Sequence, residues 1–320
     1  MPAVKNYLSL IKFSHTIFAM PFAMIGFFLA WRIWQTQTLD MGNWQARIYS
    51  TAINTSAAPA STKELVFRFV MVVFCMIFAR SAAMAFNRYL DRKYDALNPR
   101  TAIREIPKGI IQPRYALIFT IVSCFLFMVS SYMINHLCFI LSPVALAIVL
   151  GYSYTKRFTP LCHLILGLGL SLAPIGAYLA VTGKFHLIPV LFSLAVLFWV
   201  SGFDIIYALQ DEEFDRSQKL YSIPSSVGTE KALRISELLH LLSASMVILA
   251  GRMGGFGWIY WIGVLVFGAC LVYQHSIVKP NDLRKVNIAF MTTNGVASVV
   301  FAIFVIADLV FNSNHSVTNI

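Results

Sequence analysis

In the stretch "AFNRYLDRKYDALNPRTAIREIPKG", residues 85–109, Asn87, Asp91 and Asp95 stand at i, i+4 and i+8. On a helix that spacing stacks all three on one face. A second ladder, Asp204, Asp211 and Asp215 at i, i+7 and i+11, lies in "GFDIIYALQDEEFDR" and again occupies one helical face. The chain has only 14 Asp and Glu, yet Asp91, Asp95, Glu105, Asp211, Glu212, Glu213, Asp215 and Glu230 gather around these two ladders. Both ladders stand at the C-terminal ends of apolar runs, where the helix dipole disfavours a carboxylate by ~0.3–1 kcal/mol. Like charges at i, i+4 add a penalty of similar size, so positive charge must offset the arrangement. Arg88, Arg92, Lys93, Arg100, Arg104 and Lys108 supply it locally. One reading is a solvated salt-bridge network. The other is a Mg²⁺ site, in which a few hard carboxylate oxygens share the ion with water and substrate phosphates while the surplus cations take the remaining phosphate charge. Repetition favours the second. Asp91 to Asp211 and Asp95 to Asp215 are both separated by 120 positions, and each ladder is followed by Ile-Pro and then Gly, in "REIPKG" and "YSIPSSVG". The pattern reads as a diverged internal repeat, although equal spacing also arises by accident. Neither an EF-hand loop nor HExxH is present, and Cys75, Cys124, Cys138, Cys162 and Cys270 lack metal-ligand spacing.

The elements that must carry these ladders are membrane spans. Of 320 residues, 58% are hydrophobic and 12% charged, outside the mix of soluble domains. A span needs about 20 mostly apolar residues. Nine segments qualify, at roughly 10–34, 65–90, 113–134, 137–155, 160–182, 186–207, 230–250, 256–276 and 287–310. Lys5 and Lys12 precede the first, but no small-residue cleavage site closes a short core, so it reads as a helix rather than a signal peptide. Pro113 suits the first turn of the third span, and Thr229 suits the cap of the seventh. The expected fold is therefore all-α: one polytopic membrane helix bundle over residues 1–320, with nine transmembrane helices around a central cavity. It has an outer loop at about 36–63 and cytoplasmic catalytic loops at about 91–112 and 208–229. A net charge of +11 in a soluble protein would suggest nucleic acid; here eighteen of the 25 Lys and Arg lie on one side. The opposite side has Arg32, Arg47, Lys63, Arg68, Lys184 and Arg252. That bias places the N-terminus and both ladders in the cytoplasm, with the lipid bilayer rather than nucleic acid as partner. A diphosphate bound at the mouth of an apolar bundle implies a lipid tail inside it, as in an isoprenoid diphosphate.

With Asn87, Asp91 and Asp95 as NxxxDxxxD, Asp211 and Asp215 as DxxxD, and Tyr152 and Lys156 as YxxxK in "GYSYTKRFTPLCHLILG", the chain resembles the UbiA superfamily of intramembrane prenyltransferases along essentially its whole length. The resemblance implies that the aspartates bind two Mg²⁺ bridging a prenyl diphosphate. It also implies that Tyr152 and Lys156 contact the diphosphate or the reacting allylic carbon. "IKFSHTIFAMPFAMIGFFLA", "NRYLDRKYDALNPRTAIREIPKG" and "GFDIIYALQDEEFDR" are most similar to the bacterial 4-hydroxybenzoate polyprenyltransferase-like group, which includes the prenyltransferase of the futalosine route to menaquinone. Ubiquinone-pathway members have a DRDDD-type second motif and an Arg-Pro segment in the first helix that holds the benzoate carboxylate. This chain has Asp211-Glu-Glu-Phe-Asp215, and Lys12, Ser14 and His15 in the first span.

The expectations are then concrete. Asn87, Asp91, Asp95, Asp211 and Asp215 hold the metal. Asn87, Arg88, Arg100, Arg104, Lys108 and Lys156 clamp the diphosphate, while Lys12 and His15 bind the acceptor. Asp204 orients the acceptor hydroxyl or takes a proton, or else anchors its neighbours. His136, His163, His186, His240 and His275 read as boundary or packing residues, and Gly167, Gly169 and Gly176 as permitting close approach of the fifth span, which Pro174 kinks. The substrates are a polyprenyl diphosphate and an aromatic acid, a hydroxybenzoate or a naphthoate in quinone biosynthesis, at the bacterial inner membrane. A transporter is the alternative from another class, since broken helices also place charge in apolar bundles.

Overall fold

The computed structural model describes residues 6–7, 9–10, 18–40 and 59–312. Helices are α1 (Met20–Asp40), α2 (Thr62–Leu97), α3 (Pro113–Ile134), α4 (His136–Thr155), α5 (Cys162–Thr182) and α6 (Leu187–Ala208). After a 3-10 turn, Leu209–Asp211, come α7 (Glu212–Ser217), α8 (Ile223–Val227), α9 (Thr229–Met253) and α10 (Trp258–Ile277); a π-helical turn, Ile288–Thr293, leads into α11 (Asn294–Phe311). Eight of the helical segments among the described residues are long and apolar enough to cross a membrane. Helix α1 stands where the first of the nine expected spans lies, with Phe22, Ala23, Ile25, Leu29 and Ala30 fully buried. Most of the outer loop at 36–63 lies outside the described residues, as do Lys12 and His15.

Local signals place the helix ends. Ser61 Oγ accepts from the Glu64 N–H at 3.3 Å while Glu64 Oε2 accepts from the Ala60 N–H at 2.8 Å, so α2 begins with satisfied donors. Pro113 opens α3 as expected. Asn135 ends α3 and starts α4, its Oδ1 accepting from the Cys138 N–H at 2.8 Å, which closes the predicted tight hairpin. The expected Thr229 cap is not formed. Gly228 precedes the helix at φ 83°, and the Thr229 hydroxyl instead donates to Glu212 Oε2 at 2.5 Å.

Helix α6 is the hub, burying Phe192, Ala195, Val196, Trp199 and Val200 completely. Around it Phe22–Trp199, Trp199–Phe267 and Phe192–Phe301 ring pairs lie 5.3, 6.0 and 6.3 Å apart. The hub is close-packed where backbones meet. A Cβ on Gly26 would fall 2.0 Å from the Pro174 carbonyl oxygen, and one on Gly167 2.4 Å from that of Leu197. Gly176 differs from expectation: nothing lies within 4 Å of a Cβ there. Helices α3 and α4 turn Ile118, Ile121, Phe125, Ile140 and Val144 outward, the pattern of surfaces whose solvent is lipid.

Candidate active site

Helix α2 has 36 residues, about 54 Å at 1.5 Å per residue, while the hydrocarbon core is about 30 Å thick. Its C-terminal turns therefore reach past the apolar layer, and the helix continues unbroken through Asn87, Asp91 and Asp95. At the end of α6 the backbone tightens into a 3-10 turn before α7. The second ladder so turns toward the first. Asn87, Asp91, Asp95, Asp204, Asp211 and Asp215 all line one cavity of about 290 Å³.

Each ladder aspartate meets a cation. Arg157 Nη2 is 2.8 Å from Asp91 Oδ1, Arg104 Nη1 2.5 Å from Asp95 Oδ1, and Lys156 Nζ 2.7 Å from Asp215 Oδ1, while Arg100 forks onto both oxygens of Asp211. Three of these pairs join elements distant in sequence, so the salt-bridge reading and the shared-ligand reading describe one constellation. Asn98 Nδ2 also donates to Asp211 at 3.0 Å, and Arg100 Nη1 donates to Tyr207 Oη at 2.8 Å. Burial works against the charge on Lys156, but the adjacent Asp215 carboxylate outweighs it and holds the ammonium above the ordinary lysine range. Arg100 is likewise raised: burial opposes its charge, and the bonded Asp211 more than compensates.

Asp204 has a different partner. His163 Nδ1 is 2.7 Å from Asp204 Oδ2, and His163 Nε2 accepts from the Ile223 N–H at 3.3 Å. With Nε2 accepting, the ring proton resides on Nδ1 and is donated to the carboxylate. The Tyr221 N–H donates to the Lys156 carbonyl at 2.7 Å, which ties the second loop to the end of α4. Gly109 and Gly228, at φ 74° and 83°, end the two "IP…G" segments in the left-handed region. Phe18, Phe203 and Phe290 line the cavity deeper in, with ring centroids 5.3–5.5 Å apart. Phe290 is set there by the π-helical turn, whose freed carbonyls at Ala289 and Phe290 accept from Asn294 Nδ2 at 3.1 and 3.0 Å.

A second cavity of about 350 Å³ adjoins the first, sharing Arg80, Met84, Tyr152, Leu166 and Leu170, and is otherwise largely apolar, with Val72, Met76, Ile148 and Gly176 among its walls. Tyr152 thus stands at the junction. Most expected site residues converge here, but Lys108 is exposed and outside the lining. Sequence reasoning missed Asn98, Arg157 and Tyr207, and it read His163 as packing. The signal for Arg157 was its adjacency to Lys156; none marked His163, whose partner is 41 residues away.

The donor chemistry fits Mg²⁺. Asp95 Oδ2 and Asp215 Oδ2 are buried without a hydrogen-bond partner, and hard carboxylate oxygens suit that ion. Among the described residues no three His, Cys, Asp or Glu side chains converge enough to cage a metal. Mg²⁺ needs no such cage, since it keeps waters and takes phosphate oxygens from substrate.

An all-helical bundle whose charged mouth adjoins an apolar chamber is the architecture of an integral membrane protein shaped for an amphipathic ligand. The chain is a member of the UbiA prenyltransferase family, whose model matches residues 47–296. It is 32% identical over 234 residues to the 4-hydroxybenzoate octaprenyltransferase of Aeromonas salmonicida, covering 73% of this chain and 79% of that one. The enzyme of the same name from Citrobacter koseri is 31% identical over 222 residues, covering 69% and 76%. Among solved structures, the apo form of a UbiA homolog from Aeropyrum pernix K1 superposes with a TM-score of 0.71 at 27% identity, covering 92% of this chain and 97% of that one. A UbiA homolog from Archaeoglobus fulgidus bound to GPP and Mg²⁺ shares the fold, with a TM-score of 0.70 at 18% identity over 95% and 99% of the two chains. Membership of a prenyltransferase family sets aside the transporter alternative.

Proposed function

We propose that this chain transfers a polyprenyl group from an allylic polyprenyl diphosphate to a ring carbon of an aromatic acid of the 4-hydroxybenzoate type, with Mg²⁺, in quinone biosynthesis. The observation that carries the reading is the convergence of two aspartate ladders, 120 residues apart, on one cation-rimmed cavity that adjoins an apolar one. The diphosphate head sits at the rim and the tail in the apolar cavity. The names of the curated relatives support 4-hydroxybenzoate as acceptor. The Asp-Glu-Glu-Phe-Asp form of the second motif keeps a naphthoate acceptor as a second reading.

Asn87, Asp91 and Asp95 on one side and Asp211 and Asp215 on the other would hold the metal, in two places if each ladder takes an ion. Bound there, Mg²⁺ supplies Lewis-acid neutralisation of the leaving diphosphate. Arg88, Arg100, Arg104, Arg157 and Lys156 aim positive charge at the same oxygens, and preorganised charge of this kind is usually the largest catalytic term. Because four of these cations begin paired with aspartates, they exchange carboxylate for phosphate when substrate binds. The allylic C–O bond breaks with its electron pair leaving on the diphosphate. Phe18, Phe203 and Phe290 face the resulting cation and exclude water. A ring carbon of the acceptor then donates its π pair to the allylic carbon, and the ring proton departs. Asp204, held by His163, is placed to orient the acceptor hydroxyl or accept that proton, with Tyr152 beside the reacting carbon. The excess of Lys and Arg on this side supports a cytoplasmic orientation of the rim, in a bacterial inner membrane.

The test is product identification. The full chain is incubated with labelled prenyl diphosphates and a panel of 4-hydroxybenzoate, naphthoates and other aromatic acids, with and without EDTA. Prenylated acid and released pyrophosphate, both abolished by EDTA and restored by Mg²⁺, are expected. Absence of transfer to every acid in the panel overturns the reading.

A further inference from the structure

Arg80 has no place in that scheme, and its surroundings are unusual. It stands within the apolar stretch of α2 and lines both cavities. It makes no salt bridge to any described carboxylate, and its Nε is buried without a hydrogen-bond partner. Tyr152 lines both cavities with it. Arg100, Arg104 and Arg157 at the rim are each paired with an aspartate; Arg80 is eleven residues back from Asp91, about 16 Å along the helix axis. A guanidinium kept at such depth without counter-charge is costly, and ionisable groups inside spans are functional by default.

The missing negative charge must therefore arrive with a substrate. A prenyl diphosphate carries its charge at the head, which the rim holds, and the tail that follows is neutral. The second substrate in the reading above is an aromatic acid, with a hydroxyl at one end and a carboxylate at the other. Asp204 and His163 provide for the hydroxyl in the same cavity that Arg80 lines. Charge adds a second reason: an uncompensated guanidinium would repel the allylic cation, whereas one neutralised by a carboxylate does not.

We propose that Arg80 binds the carboxylate of the aromatic acceptor and selects acids over neutral phenols, an inference that rests on the function proposed above. The planar guanidinium matches a carboxylate through two parallel N–H···O bonds. Its position, between the rim and the apolar cavity, places the acceptor ring against the allylic carbon.

The full chain in detergent with Mg²⁺ and a prenyl diphosphate is assayed with 4-hydroxybenzoate and with its uncharged counterpart 4-hydroxybenzamide, for wild type, Arg80→Gln and Arg80→Lys. In Arg80→Gln the KM for 4-hydroxybenzoate is expected to rise about thirtyfold or more, the scale of removing one partner of a buried charge pair. The KM for prenyl diphosphate should stay within about twofold, since that interaction is untouched. The preference for acid over amide should fall to near parity. An unchanged acid-to-amide ratio, or a rise confined to the prenyl diphosphate KM, overturns the assignment. Should Arg80→Gln fail to bind labelled prenyl diphosphate, Arg80→Lys, which keeps the charge but loses the fork, carries the test: a raised acceptor KM alone supports the proposal and an unchanged one refutes it. Wild-type enzyme that prenylates no aromatic acid defeats the functional reading itself, whereas wild-type transfer with an indifferent Arg80→Gln defeats only the role of Arg80.

Discussion

At the scale of single residues, the rim differs from a surface ion-pair network in where its partners come from. Asp211 is held by Asn98 and Arg100, more than a hundred residues away, and Asp91 by Arg157. Asp91→Ala or Asp211→Ala is expected to lower kcat about 10²–10³-fold, the effect of removing one preorganised electrostatic contact; steady-state pyrophosphate release measures it, and activity near wild type would remove these aspartates from the mechanism. His163 permits a finer prediction. His163→Gln leaves Asp204 without its fixed donor, so kcat should fall about tenfold or more while the KM for prenyl diphosphate is unchanged. Equal loss in both parameters would make His163 merely structural. The ladders were legible because their spacing is a property of one helix. His163, Asn98 and Arg157 were not, because each acquires meaning from a partner that only folding brings near.

At the scale of elements, boundaries followed local chemistry closely. The hydrophobic runs, Pro113 and Asn135 fixed helix ends that tertiary contacts left alone. Helix α2 ran on past its apolar stretch because its polar turns face the cavity and the loop beyond, not lipid. Close packing was foreseen less evenly. Gly167 does meet the Leu197 carbonyl, whereas Gly176 borders the apolar cavity, and both read alike in sequence. Gly167→Ala should therefore cost about 1–3 kcal/mol through overpacking against backbone. Gly176→Ala meets no atom and, by helix propensity, should be neutral or stabilising by up to about 1 kcal/mol. Thermal midpoints in detergent separate the two; equal destabilisation would contradict the packing described for α5 and α6.

Across the whole molecule, two spaces of opposite character adjoin, one rimmed by charge and one largely apolar. If the tail occupies the apolar one, filling it from the wall should shorten the chain that fits. Gly176→Phe is expected to shift preference toward shorter prenyl diphosphates with Mg²⁺ dependence intact, read from competition between donors of different length. An unaltered preference would place the tail elsewhere. Orientation is open to a separate measurement. Lys108 and Lys184 are both exposed and are expected on opposite faces, so in a cysteine-free background Lys184→Cys should react with a membrane-impermeant maleimide in intact cells and Lys108→Cys only after lysis. The reverse labelling would invert the assignment of the rim to the cytoplasm.

By itself the sequence determined the material of this protein: helices long and apolar enough for a bilayer, their ends, the bias of basic loops, and two carboxylate ladders. Hydrophobic run length, capping chemistry and helical spacing are short-range properties, so neighbouring residues suffice to set them. Tertiary structure alone decided that the ladders share one cavity, that Arg100, Arg157 and Lys156 reach across to them, that His163 meets Asp204, and that Arg80 pairs with no carboxylate among the described residues. Those facts depend on which helix faces touch, and that is set by packing many side chains at once rather than by any single stretch of chain.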